Sequence, residues 1–103
     1  MPGPSESPFI SPNILREAEA AVYGPRQAAY GHPGDNMTKT AILWRAYLLA
    51  KYGADLPLDG ADVSTMQRNV KDARLMESPD HRDSLVDIAG YAAVQARWVG
   101  LDP

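Results

Sequence analysis

Four stretches of apolar residues recur at helical spacing, and each is bounded by residues that start or stop a helix. Ser11 before Pro12 reads as an N-cap followed by a first-turn proline; Ile14, Leu15, Ala18, Ala21 and Val22 then share one face until Gly24-Pro25 ends the run. A loop, RQAAYGHPG, leads to Asp35 as the next cap, and the second helix spans about 36–52 before Gly53. Asp59-Gly60 opens a third helix to about Glu77. Ser78-Pro79 repeats the cap-plus-proline device, and a fourth helix runs to about Val99 before Gly100. No alternating apolar run competes, so the expected fold is all-α: a compact four-helix domain over residues 11–100. Residues 1–10 hold three prolines with Gly3, Ser5 and Ser7, a composition with no face to bury, and read as a flexible leader.

Composition removes whole classes of function. A chain of 103 residues is one domain with one core. It has no cysteine, which excludes disulfides, thiol catalysis and cysteine-ligated zinc, and its two histidines are too few for a histidine zinc site. No apolar run approaches the roughly 20 residues of a membrane span. The N-terminus has neither the basic start nor the apolar stretch of a signal peptide, so a cytoplasmic location is expected. Net charge is -3 and no lysine–arginine run occurs, which disfavours nucleic acid as a partner. Ser64, Ser78 and Ser84 lack the glycine-flanked elbow of a catalytic serine.

Two helices are apolar on opposite sides. Met37, Ala41, Trp44, Leu48 and Tyr52 form one stripe of the second helix; Ile42, Ala46, Leu49 and Ala50 form another. On the fourth, Leu85, Ile88, Ala92, Ala96 and Val99 face one way, and Tyr91, Val94 and Trp98 face another. A helix apolar on two sides must be buried on two sides. The expectation is a homo-oligomer, dimer or tetramer; the alternative has Trp98 and Tyr91 covering the chain's own first helix.

Three features could carry chemistry. Asp83 and Asp87 lie one turn apart with Tyr91 a turn further, an arrangement that invites a cation such as Mg²⁺ or a basic side chain between the carboxylates. On spacing alone, a solvated acidic face near a helix N-terminus is the simpler explanation of the two. Gln67, Lys71 and Arg74 flank the Val63, Met66, Val70 and Ala73 face of the third helix. Lys71 and Arg74 suit a phosphate, or else pair with Asp83 and Asp87. Arg68 and Asp72 read as an ordinary surface pair. Finally, Tyr30-Gly31-His32-Pro33-Gly34-Asp35-Asn36 delivers a tight loop into a helix N-terminus, where backbone N–H groups attract anions and His32 adds a donor.

Together RQAAYGHPGDNMTKTAILWRAYL, ADVSTMQRNVKDARL and HRDSLVDIAGYAAV resemble, over about residues 14–98, a family of small proteins encoded by phages of actinobacteria. That family is similar in turn to the MazG-type all-α nucleoside triphosphate pyrophosphohydrolases, Mg²⁺-dependent dimers or tetramers with two acidic motifs on neighbouring helices. Asp83-Ser84-Leu85-Val86-Asp87, followed by an apolar run, resembles the second motif. The first, a set of glutamates, has no counterpart: after Asp35 the second helix carries only Lys39, Arg45 and Lys51. Glu17, Glu19 or Asp72 are the remaining acids that could stand in for it. The resemblance implies Asp83 and Asp87 as Mg²⁺ ligands, Lys71 and Arg74 on the phosphates, and Tyr30, His32, Asn36 or Tyr91 toward the nucleotide. Two readings follow: a nucleotide-binding protein of MazG-like descent, active or degenerate, or a non-catalytic protein that binds a host or phage partner. A third and fourth carboxylate near Asp83 and Asp87 would favour the first; basic neighbours would favour the second.

Overall fold

The computed structural model describes residues 13–24 and 33–102. Over them the chain forms four helices and no strand: α1 Asn13–Tyr23, α2 Pro33–Tyr52, α3 Gly60–Glu77 and α4 Arg82–Trp98. The all-α expectation holds. The leader, the Ser11-Pro12 cap, Tyr30 and His32 lie outside the described residues.

α4 is the element on which the others assemble. It packs most extensively on α3 and α1 and touches α2, which rests mainly on α3. The contacts are made by small side chains. Ala18, Val22, Ala41, Val63 and Val94 are buried, and so are Gly60, Ser64, Ser84 and Gly90. Small residues let helix axes approach closely, and their polar atoms are satisfied across or within the seam. The Ser64 hydroxyl donates to the carbonyl of Tyr91 at 3.0 Å, and the Ser84 Oγ lies 2.7 Å from His81 Nδ1. Gly60 is a close approach between helices: a Cβ there would stand 2.5 Å from Nε1 of Trp98. The indole lies across the start of α3 and donates to Thr38 Oγ1 on α2 at 3.1 Å. Trp98 thus joins α2, α3 and α4. Tyr91 does face α1, beside Ala21 and Val22.

Helix starts differ from the sequence reading at two places. α2 begins at Pro33, not after Asp35. Proline suits a first helical position because the N–H it lacks would have no intrahelical partner there. α4 begins at Arg82, and its cap is His81, whose Nδ1 accepts from the Ser84 N–H at 3.3 Å. Ser78-Pro79 serves a tight turn instead, closed by the His81 N–H donating to the Ser78 carbonyl at 3.0 Å. Proline at the second position of such a turn has its φ already set. The α3 start matches: Asp59 and Asp62 form a reciprocal capping box.

Faces also shift. On α3 the buried side runs through Gly60, Val63 and Ser64 toward half-buried Gln67 and Lys71, leaving Met66 and Val70 exposed. Arg68 turns across to α4, donating to Gln95 Oε1 at 2.9 Å and to Thr65 Oγ1, so it is not the surface partner of Asp72. On α2 the Ala41, Trp44 and Leu48 side faces inward, although Tyr52 at its end is 65% exposed; Ile42 and Leu49 on the other side are 62% and 51% exposed.

Candidate functional site

α4 presents its two carboxylates in different settings. Asp83 is in the first turn and exposed, where the partial positive charge of the helix N-terminus favours an acid. Asp87 sits one turn on and pairs with Lys71 of α3: Nζ stands 3.0 Å from Oδ2. The lysine is the more enclosed partner, its side chain 14% exposed against 41% for Asp87. Burying an ammonium between helices is costly unless a carboxylate meets it, so the pair is what makes Lys71 tolerable in the α3–α4 seam.

The remaining expected site residues do not converge on this pair. Arg74 is exposed and lines an open groove of about 490 Å³ with Val70, Ala73, Glu77, Ser78 and His81. Tyr91 shares a second, smaller cleft of about 220 Å³ with Asp87, floored by Val22, Gly90 and Val94 between α1 and α4. Asn36 is exposed in the first turns of α2, where its carbonyl accepts from Thr40 Oγ1, and it lines neither groove. Tyr30 and His32 lie outside the described residues. The structure therefore pairs Asp87 with Lys71 on α3 and sets it beside Tyr91 in the α1–α4 cleft, while Arg74 lines a different groove.

Two interactions escaped the sequence. Arg82 grips Glu17 of α1 through two guanidinium nitrogens, Nε donating to Oε1 at 3.1 Å and Nη2 donating to Oε2. The hydrogen bond from Arg82 holds the Glu17 carboxyl below its usual range, and the same bond raises the guanidinium. Glu17 is thereby engaged in tying α1 to α4, not in standing in for a missing acidic motif. Arg97 lies 4.9 Å over the ring of Tyr23, a second α1–α4 contact. Neither pair is spaced at i,i+3 or i,i+4, the only separations at which sequence alone announces a contact on helices.

Among the described residues, no group of three or more histidines and acids is placed to hold a metal ion. Mg²⁺ can manage with two carboxylates and phosphate oxygens. Here, however, the inner carboxylate already meets an ammonium at 3.0 Å, and a divalent cation on it would stand against that positive charge. The donor set does not fit a Mg²⁺ centre. Nor does any described helix have the length and apolarity to cross a membrane.

Comparison with known proteins yields two mycobacteriophage relatives. One, the Gene 55 protein of Mycobacterium phage D29, is 35% identical over 88 residues, which cover 85% of this chain and 54% of the relative. The other, the Gene 55 protein of Mycobacterium phage L5, is 42% identical over 82 residues, covering 80% of this chain and 49% of the relative. The chain spans about half the length of these curated relatives. No solved structure matches it. Residues 13–99, the whole run from α1 to the end of α4, match the model of the domain of unknown function DUF6378, and the chain belongs to that family.

Proposed function

We propose that this chain is a non-catalytic phage interaction protein, one that binds a host or phage protein and does not hydrolyse nucleotides. The observation that carries the reading is the Lys71–Asp87 ion pair. It occupies the carboxylate that a MazG-like mechanism would assign to metal, and it supplies the basic neighbour that distinguishes binding from catalysis. The Asp83–Asp87 spacing with its apolar run suits descent from a MazG-like ancestor whose glutamate motif is gone. A protein partner also fits the surface: large apolar side chains stay exposed on α2 and at the end of α3, among them Leu43 at 69% and Met76 at 83%.

Beside the Arg74 groove, which neither Asp83 nor Asp87 lines, a nucleotide-binding reading has in its favour the cleft that Asp87 and Tyr91 share. At about 220 Å³ that cleft falls below the roughly 300–1,000 Å³ of ordinary small-molecule sites. The test is a pyrophosphate-release screen across ribo- and deoxynucleoside triphosphates with Mg²⁺ or Mn²⁺. The expected result is no release above a protein-free control. Release that Asp87→Asn abolishes would overturn the proposal.

A further inference from the structure

α1 is held to the fold by little. Among the described residues its extensive packing is on α4 alone. It buries two side chains there, Ala18 and Val22, and both are small. Its other ties lie in water: Glu17 and Arg82 have side chains 46% and 53% exposed, and Tyr23, under Arg97, is 46% exposed. A helix of 11 residues does not hold its shape unaided, since even good helix formers are marginal in water below about 12–15 residues.

The fit is also loose. The cleft of about 220 Å³ stays open between exposed Ala21 of α1 and Val86, Gly90 and Val94 of α4. Atoms lining such a gap forgo the dispersion contacts that a filled seam would give them. α2, α3 and α4, by contrast, are joined without α1. Trp98 reaches Thr38 across Gly60, and α3 is held on α4 by the Lys71–Asp87 pair, the Ser64 bond to the Tyr91 carbonyl and the Arg68 bond to Gln95.

We infer that α1 is a releasable strap, and that the α4 face beneath it is a docking groove for a helix of α1-like chemistry carried by a partner protein. The inference rests on the reading above, that the chain works through protein contacts, and it names the surface and the kind of partner.

The groove defines its occupant. Arg82, Val86, Gly90, Val94 and Arg97 recur at steps of four and three along one side of α4, a small apolar floor with a cation at each end. α1 meets the first cation with Glu17, the floor with Ala18 and Val22, and the second cation with the ring of Tyr23. A competing helix needs the same three elements: an acid, two small apolar residues one turn apart, and an aromatic ring. A larger apolar side chain in place of Ala21 would fill the open cleft and favour the partner's helix over α1.

The experiment exploits the absence of cysteine from the chain. Ala18→Cys places a thiol under α1, and Ser64→Cys places one in the α3–α4 seam; both sites are buried. Each variant of the full chain is timed against a thiol reagent under native conditions. Ala18→Cys should react on the order of tenfold or more faster than Ser64→Cys, because a strap opens below the cost of global unfolding. Amide exchange on the wild type should follow the same order, α1 ahead of α3. Glu17→Arg, an exposed change that opposes Arg82 and leaves the groove intact, should speed the first thiol several-fold and leave the second unchanged.

Docking is read by the anisotropy of a fluorescent peptide of residues 13–24 carrying Ala21→Leu. It should bind full-length Glu17→Arg several-fold more tightly than the wild type. The charge swap Glu17→Arg/Arg82→Glu should lose that binding. Equal thiol rates with equal amide exchange, a peptide that binds neither chain, or one that binds the charge swap as well as Glu17→Arg would overturn the inference. None of these outcomes bears on pyrophosphate release, so the two proposals fail separately.

Discussion

Gly60 shows how much a single residue fixes here. It opens α3 behind the Asp59 capping box, and the space its missing Cβ leaves is filled by the Trp98 indole. An added methyl would stand 2.5 Å from Nε1, closer than any real contact, so the ring has to move and its bond to Thr38 lengthens. Overpacking of this kind costs typically 1–3 kcal/mol. Gly60→Ala is expected to lower the urea-unfolding free energy by about 1–3 kcal/mol, even though alanine is the better helix former. An unchanged or raised stability would contradict this packing. The sequence offers Asp59-Gly60 as a helix start and nothing more, because the reason for glycine lies 38 residues away along the chain. Asp87 was more legible. A mid-helix acid among Val86, Ile88 and Ala89 signals a need for a partner, and Lys71 was among the candidates. The choice between Lys71, Arg74 and a metal depends on how α3 is rotated, which periodicity leaves open.

At the scale of helices, caps and faces were readable in unequal measure. The Asp59 start and the Gly53 and Gly100 stops were plain, because side-chain hydrogen bonds and positive φ, at +67° and +83°, belong to particular residue types. The α4 start was missed because histidine is an unusual cap and Ser78-Pro79 offers the commoner signal. The sequence misplaces the α3 face because Gly60 and Ser64 count as polar or neutral in any apolar pattern, yet both are buried there. The α1–α4 clasp of Glu17 and Arg82 has a consequence in pH. The Arg82 hydrogen bond holds the Glu17 carboxyl below its unfolded value. A lowered carboxyl pKa gives stability that is present above the unfolded value and lost as pH falls through the folded one. Glu17→Gln should therefore melt below the wild type at neutral pH, and the gap should close as pH drops below about 4. A gap of constant size down to pH 2 would show that the carboxylate charge does no work in the clasp. Both groups are exposed, so the gap should be small and should shrink in salt.

For the molecule as a whole, a thin core and a polar seam go together. The helices meet through alanines, glycines, serines and the Lys71–Asp87 pair, while larger apolar side chains such as Leu43 and Tyr47 remain on the outside of α2. The inner acid of this chain is committed to holding α3 on α4. That commitment is the central claim, and a double-mutant cycle over Lys71→Met and Asp87→Asn, read by urea unfolding with and without 10 mM Mg²⁺, tests it most directly. Exposed pairs couple by at most about 1 kcal/mol, and breaking a fully buried one costs about 3–5. With Lys71 enclosed and Asp87 partly exposed, the coupling should be about 1–2 kcal/mol and the same in both buffers. Zero coupling, together with a Mg²⁺-induced stabilisation of the wild type that Asp87→Asn removes, would contradict the account and return Asp87 to the role of a metal ligand.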